Sequence, residues 1–111
     1  MLPKSFRLRK RTEFAYSYKH GKFYSFKNFN IVVFKRKDLL LRIGFSVSKK
    51  IGKAFLRNKT KRRLRAVIHE NLYELKKGFN LIFMAKPEIT NIDYKQLKNE
   101  IKVGLEKCCL I

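Results

Sequence analysis

Nine of the seventeen residues from Lys49 to Arg65 are cationic: Lys49, Lys50, Lys53, Arg57, Lys59, Lys61, Arg62, Arg63 and Arg65. No acid falls between Leu39 and His69. An ordinary solvated helix face carries acids three or four residues from its bases. A run without them suits a polyanion, whose phosphates the side chains neutralise one by one. Asn58 adds a group that donates and accepts, fit for a base edge or a ribose 2′-hydroxyl. A helix starting near Leu56 contributes unpaired N–H groups and the positive end of its dipole, both favourable to phosphate. Gly52 gives the loop before it a permissive backbone.

No residues have the spacing of an autonomous catalyst. A histidine pair could serve acid–base cleavage of RNA, but His20 and His69 read as two unrelated surface residues. Glu70, Glu74, Glu88, Asp93, Glu100 and Glu106 lie in a charge-balanced tail and do not cluster as a two-metal site requires. Cys108 and Cys109 are adjacent, so they form neither a disulfide framework nor a spaced ligand set. They are expected to pack a helix end and to fit a reducing, cytoplasmic setting. Gly52-Lys53 lacks the glycine spacing of a nucleotide-binding loop. The residues therefore nominate no catalytic group, no metal ligand and no tightly bound cofactor.

The chain has 111 residues and a formal net charge of +20. That length predicts one domain over 1–111, with a radius of gyration of about 13 Å. Residues 1–69 carry 21 Lys and Arg against two acids, whereas residues 70–111 carry seven Lys against six acids. Such concentration costs stability through self-repulsion, so an anionic partner is expected, and phosphate or sulfate should stabilise the free chain. Nucleic acid is the first candidate. An anionic membrane is the second, but it needs an amphipathic segment with an exposed apolar face. Ten Phe and five Tyr within 45% apolar composition argue against disorder. No apolar run approaches membrane-spanning length, and Met1–Lys10 is too basic for a signal peptide.

The elements that position the cations follow from periodicity. Met1–Arg9 reads as an extended basic arm. Thr12 is placed to cap a short helix, about Thr12–His20, with Gly21 as a left-handed stop. Phe29–Lys37 and Leu39–Ser48 read as strands joined by a turn at Asp38, which predicts an antiparallel hairpin. Gly44 marks a bulge or a close backbone approach. A long helix over Leu56–Lys76 buries Leu64, Val67, Ile68, Leu72 and Leu75 and ends at Gly78. Lys59, Arg62, Arg63 and Arg65 point away from that stripe. Arg57 and Lys61 lie along it, one or two turns earlier, projecting past the sheet edge. Asn80–Ala85 is a strand stopped by Pro87. Asp93 and Gln96 form a capping box for a last helix, Tyr94–Cys109, with Leu97, Ile101, Leu105 and Cys108 on its apolar face. Strand, helix, strand implies a βαβ unit and a partly parallel sheet.

The run Gly44-Phe45-Ser46-Val47-Ser48-Lys49-Lys50-Ile51-Gly52-Lys53-Ala54-Phe55-Leu56-Arg57-Asn58-Lys59-Thr60-Lys61-Arg62-Arg63-Leu64-Arg65 resembles the signature of the bacterial ribonuclease P protein component. That family pairs a Ser-x-Lys-Lys-x-Gly-x-Ala loop with an Arg-Asn-x-x-Lys-Arg helix. Leu8–Phe14 and Lys19–Lys22 resemble its first helix, Asn80–Pro87 its later strand and Tyr94–Leu97 its last helix. The resemblance implies a single α/β domain with a small mixed sheet, ordered α-β-β-β-α-β-α, and a left-handed βαβ crossover. The third early strand would come from splitting Leu39–Ser48 or from Gly21–Tyr24.

Nine of the fifteen aromatic residues fall in Phe6–Phe34. Rings bordered by cations suit single-stranded RNA, each stacked base being worth ~1–3 kcal/mol; core packing explains any one ring as well. The resemblance implies that Phe14 and Tyr18, with Lys10, Arg11 and Lys22 nearby, face the 5′ leader of precursor tRNA. It implies that Lys49, Lys50, Lys53, Arg57, Asn58, Lys61, Arg62 and Arg65 face the catalytic RNA. Val32 stands where relatives often carry a ring, and Ser17 where they often carry an apolar residue. The implied function is that of a protein subunit assisting removal of the leader, with hydrolysis and its Mg2+ belonging to ribonuclease P RNA. No membrane and no stable protein partner are expected. The alternatives are a general structured-RNA-binding protein of ribosomal type, a cationic membrane-surface protein and an independent nuclease.

Overall fold

The structure, a computed structural model, describes residues 2–111, so Met1 of the predicted arm lies outside the described residues. In chain order the main elements are α1 (Arg11–His20), β1 (Lys22–Ser25), β2 (Phe29–Lys35), β3 (Leu41–Ser46), α2 (Ala54–Glu70), β4 (Phe79–Ala85) and α3 (Tyr94–Lys107). The order is the α-β-β-β-α-β-α expected. Of the two sources for the third early strand, the segment after Gly21 supplies it, as β1.

Leu81, Ile82 and Phe83 of β4 are all fully buried. A strand apolar on both faces belongs at the centre of a sheet, and the sheet order is β1-β2-β4-β3. β4 pairs antiparallel with β2 and parallel with β3, while β1 pairs antiparallel with β2. β4 thus separates the two strands expected to form a hairpin. Their connection bridges its end instead: Arg36 N–H donates to the Gly78 carbonyl, and Gly78 N–H donates to that of Leu40 (both 2.8 Å). Asp38 holds the bend by accepting from Arg36 Nε at 2.8 Å and from the Leu40 amide at 3.1 Å. The turn was legible, but hairpin pairing was displaced by the stronger claim of the doubly apolar strand.

α2 and α3 cover one face of the sheet. Leu64, Val67 and Ile68 of α2, with Leu97, Ile101 and Leu105 of α3, meet Ile31, Ile43, Leu81 and Phe83 in the main core. Burying each such side chain stabilises the fold by ~1.5–3 kcal/mol. The α2 helix stops at Glu70, short of the predicted Lys76. Asn71 ends it, its side-chain amide donating to the Val67 carbonyl at 2.9 Å. Leu72 and Leu75 are buried as expected, but a separate 3-10 turn, Leu72–Glu74, delivers them. Gly78 instead makes the positive-φ turn (+89°) into β4. The α3 N-terminus is capped as predicted, Asp93 accepting from the Gln96 amide at 2.8 Å. The Gln96 side chain bonds Glu100 rather than closing the box. α3 ends at Lys107, and burial pushes the Cys108 thiol up to about 11.

α1 lies alone on the other face, over a smaller cluster of Leu8, Val32 and Ile82 with Phe14 and Met84 against it. Thr12 falls inside its first turn; Lys10 holds the cap position without a capping side chain. Gly21 is extended (φ −82°), not left-handed, and its N–H donates to the Ser17 carbonyl at 2.8 Å. Glycine is required here by space: an added Cβ would fall on the Ser17 carbonyl oxygen and within 2.9 Å of Val32 Cγ1. The basic arm is docked rather than free. Leu2 and Leu8 are buried, a 3-10 turn spans Lys4–Phe6, and Leu8 N–H donates to the Ile43 carbonyl at 2.9 Å, extending the β3 edge. The radius of gyration is 13.0 Å, as the length predicts.

Gly21→Ala should therefore lower unfolding free energy by ~1–3 kcal/mol in urea denaturation, because backbone rather than a flexible side chain must move. An unchanged midpoint would show that α1 does not need this approach.

Candidate nucleic-acid interface

The cationic loop is shaped by one buried residue. Ile51 is buried and anchors the 3-10 turn Lys49–Ile51, leaving Lys49 and Lys50 exposed. Ser48 Oγ caps the turn by accepting from the Lys50 amide at 3.3 Å. Gly52 follows at φ +136°, a conformation open to glycine and costly for other residues. Lys53 then occupies the cap position of α2. No side chain caps the amides of that first turn, and no acid lies in it. The positive end of the α2 dipole is therefore opposed by no acidic or capping side chain, an arrangement that favours an anion.

Along α2, Arg57, Asn58, Lys61, Arg62 and Arg65 recur at helical spacing and share one side. Arg57, Asn58 and Lys61 line a cavity of about 190 Å³ with Val47. Arg57 Nε is buried there with no hydrogen-bond partner, a donor with nothing to donate to. Lys61 and Arg65 line the next cavity, about 250 Å³, with Arg7, Arg9 and Phe14. Arg62 and Lys59 are exposed. Arg63 departs from the predicted outward face. Its Nη1 donates to the Ile92 carbonyl at 3.1 Å, because the segment before α3 packs beside this turn. The two ion pairs among the described residues are Arg36–Asp38 and Lys98–Glu70, so no cation from Lys49 to Arg65 has an acidic partner.

The rings converge from the other side of the β3 edge. Phe14 lies on Gly44, where an added Cβ would come within 2.7 Å of Phe14 Cε1. Of the two roles expected of Gly44, close approach is the one observed. The Phe14 and Tyr18 rings are 6.3 Å apart. Val32, the sheet position expected opposite them, is buried. Phe23 pairs with it on β1, shares its face and is 55% exposed. On the same face Asn30 Oδ1 is buried without a partner, in register with Ser25 and Met84.

The three cations predicted beside Phe14 and Tyr18 are dispersed. Arg11 is exposed at the start of α1. Lys10 faces the opposite flank of the helix. Lys22 alternates to the other sheet face, its Nζ 5.4 Å from the Tyr24 ring centroid. Arg7 and Arg9 take their place beside Phe14. The signal for them was available in Leu2 and Leu8, two leucines in a basic arm that dock it as strands are docked. Phe23 was hidden because β1 is four residues long and its alternation short.

Among the described residues, no three of His, Cys, Asp and Glu stand close enough to hold a metal ion. No helix among them is long and apolar enough to cross a membrane.

Comparison with known proteins decides the family. The family described as Ribonuclease P matches residues 2–109. The chain belongs to the ribonuclease P protein family. It is 39% identical over 112 residues to the ribonuclease P protein component of Finegoldia magna, covering 96% of this chain and 98% of that one. A mutant of the Staphylococcus aureus RNase P protein superposes with a TM-score of 0.91 at 28% identity, covering 97% and 92% of the two chains. The RNase P protein from Thermotoga maritima does so with a TM-score of 0.83 at 28% identity, covering 91% and 96%. The mixed four-stranded sheet with three helices is thus the fold of ribonuclease P proteins.

The uncapped start of α2 and the orphaned Arg57 donor make an anion-binding site testable in isolation. Sulfate should raise the melting temperature above that in chloride at equal ionic strength. Arg57→Ala with Lys61→Ala should remove more than half of the gain. An undiminished gain in that variant would assign the effect to general exclusion of sulfate from protein surface.

Proposed function

We propose that this chain is the protein subunit of ribonuclease P, gripping the catalytic RNA and the 5′ leader of precursor tRNA while the RNA carries out hydrolysis. The observation that carries the reading is the cavity shared by Phe14, Arg9, Lys61 and Arg65. It joins the aromatic flank of α1 to the cationic side of α2, so one surface serves two RNA segments. The α2 side, with Lys49, Lys50, Lys53, Arg57, Asn58, Lys61, Arg62 and Arg65, suits the phosphates of a folded RNA. Phe14, Tyr18 and Phe23 suit unstacked bases, which a leader has and a duplex does not. Lys10, Arg11 and Lys22 contribute to the leader's surroundings as charge rather than by contact at Phe14. The Mg2+ on which hydrolysis depends belongs to the RNA in this reading, and tRNA 5′ maturation is the activity of the assembled particle.

The two surfaces separate by mutation. Phe14→Leu keeps an apolar side chain against Gly44 but loses the stacking face. It should weaken binding of precursor tRNA to the holoenzyme by about tenfold and leave binding to the RNA subunit within twofold. Arg57→Ala with Arg62→Ala should weaken assembly with the RNA subunit and reduce the slope of log K against log salt by about 2. Filter binding with each RNA measures both. Equal losses in both assays for both variants would contradict this division and favour a general RNA-binding protein.

A further inference from the structure

α1 crosses the middle of its sheet face, above the row Val32, Ile82 and Gly44, and leaves open ground on both sides. One side holds Phe14 and Tyr18. The other holds a basin of about 660 Å³, the largest of the cavities described. Its floor is the row Phe34, Asn80 and Arg42, one residue each from β2, β4 and β3. Asn80 is 4% exposed and hydrogen-bonded at both ends of its amide: Nδ2 donates to Ser17 Oγ at 3.2 Å, and Oδ1 accepts from Arg36 Nη1 at 2.7 Å. The Arg36 guanidinium is held in turn by both oxygens of Asp38, at 2.8 and 3.0 Å. That bond, with the Leu40 amide, keeps the Asp38 carboxyl down at about 2. Hydrogen bonds thus tie the floor to the rim.

The wall is Tyr16. Its ring meets Phe34 edge to face at 5.2 Å and lies 4.3 Å from His20, yet it remains 56% exposed. Lys10, Lys37 and Arg42 also line the basin, and none has an ion-pair partner among the described residues. Glu13 is the one acid there besides the occupied Asp38. A fixed, open ring beside unpaired cations is a stacking platform with a phosphate site next to it.

We propose that this basin is a second binding site for single-stranded RNA, in which a base stacks on Tyr16 and its phosphate meets Arg42. The inference rests on the RNA-binding reading given above and adds a second stretch of RNA on the far flank of α1. Continuity of charge favours a strand over an isolated nucleotide. Arg9 lines the Phe14 cavity and the next residue, Lys10, lines the basin, so cations lead around the N-terminus of α1 from one site to the other. A duplex does not fit, because its bases are stacked on one another and unavailable to Tyr16.

The test is fluorescence anisotropy of the full chain with labelled oligouridylates of four and twelve nucleotides. Tyr16→Ala and Arg42→Gln should each weaken the twelve-nucleotide strand by about fivefold or more. The four-nucleotide strand, which the Phe14 flank alone can hold, should weaken less than twofold. Tyr16→Phe should bind as the parent does, and Arg42→Gln should also lower the salt slope by about 0.7. Arg42 lies outside the core clusters, so its substitution keeps the test valid should Tyr16→Ala unfold. Parental affinity in both Tyr16→Ala and Arg42→Gln, with Phe14→Leu weakened, would overturn the second site and leave the first standing. Parental affinity in all three would overturn both.

Discussion

The seating of one short helix on one sheet face governs the shape of the aromatic and cationic surface proposed to meet RNA. α1 comes close enough to place Phe14 on Gly44 and the Ser17 hydroxyl on Asn80, and only glycine at 21 and 44 leaves room. The consequence is a ridge with rings on both sides. Seventeen is serine for the same reason: its hydroxyl is fully buried and accepts from Asn80 instead of packing apolar bulk between helix and sheet.

The second constraint is electrostatic. A core this size can hold together a chain of charge +20 only if the cations stay out of it. α2 resolves this by dividing its circumference. Leu64, Val67 and Ile68 go to the sheet, while Lys61 and Arg65 project at the β3 edge toward the docked arm. Arg63 is spent on the Ile92 carbonyl, tying α2 to the segment before α3. The remaining cations of α2 have no acidic partner among the described residues, and in the function proposed their mutual repulsion would be relieved by RNA phosphates. Stability and binding would then be coupled, the feature that weakens the free protein being the one that gives it affinity.

Much of this was legible in the residues. The buried stripe of α2, the Asp93 cap and the cationic loop with its permissive Gly52 follow from local periodicity and spacing, whereas the element order, with its third early strand, came only through the family resemblance. What was not legible depended on partners distant in sequence. β4 inserts between β2 and β3 because it is apolar on both faces, and its own pattern does not say which strands it will part. Leu72 and Leu75 kept helical spacing across the break at Asn71, since a 3-10 turn also returns side chains to the same side after three residues. Lys22 fell on the wrong side of the sheet because the parity of β1 is set by pairing with Val33, not by its neighbours in sequence. Arg7 and Arg9 joined the site because the arm is a strand-like edge, anchored by two leucines that read as incidental.

In the function proposed, one surface of this chain serves two RNAs, and the chemistry lies in one of them. The most direct measurement combines the protein with a bacterial ribonuclease P RNA and labelled precursor tRNA at low magnesium and near-physiological salt, and follows release of the leader. Accurate release only when protein and RNA are both present is the predicted result. Cleavage by the protein alone, or no stimulation despite tight salt-dependent binding, would contradict it.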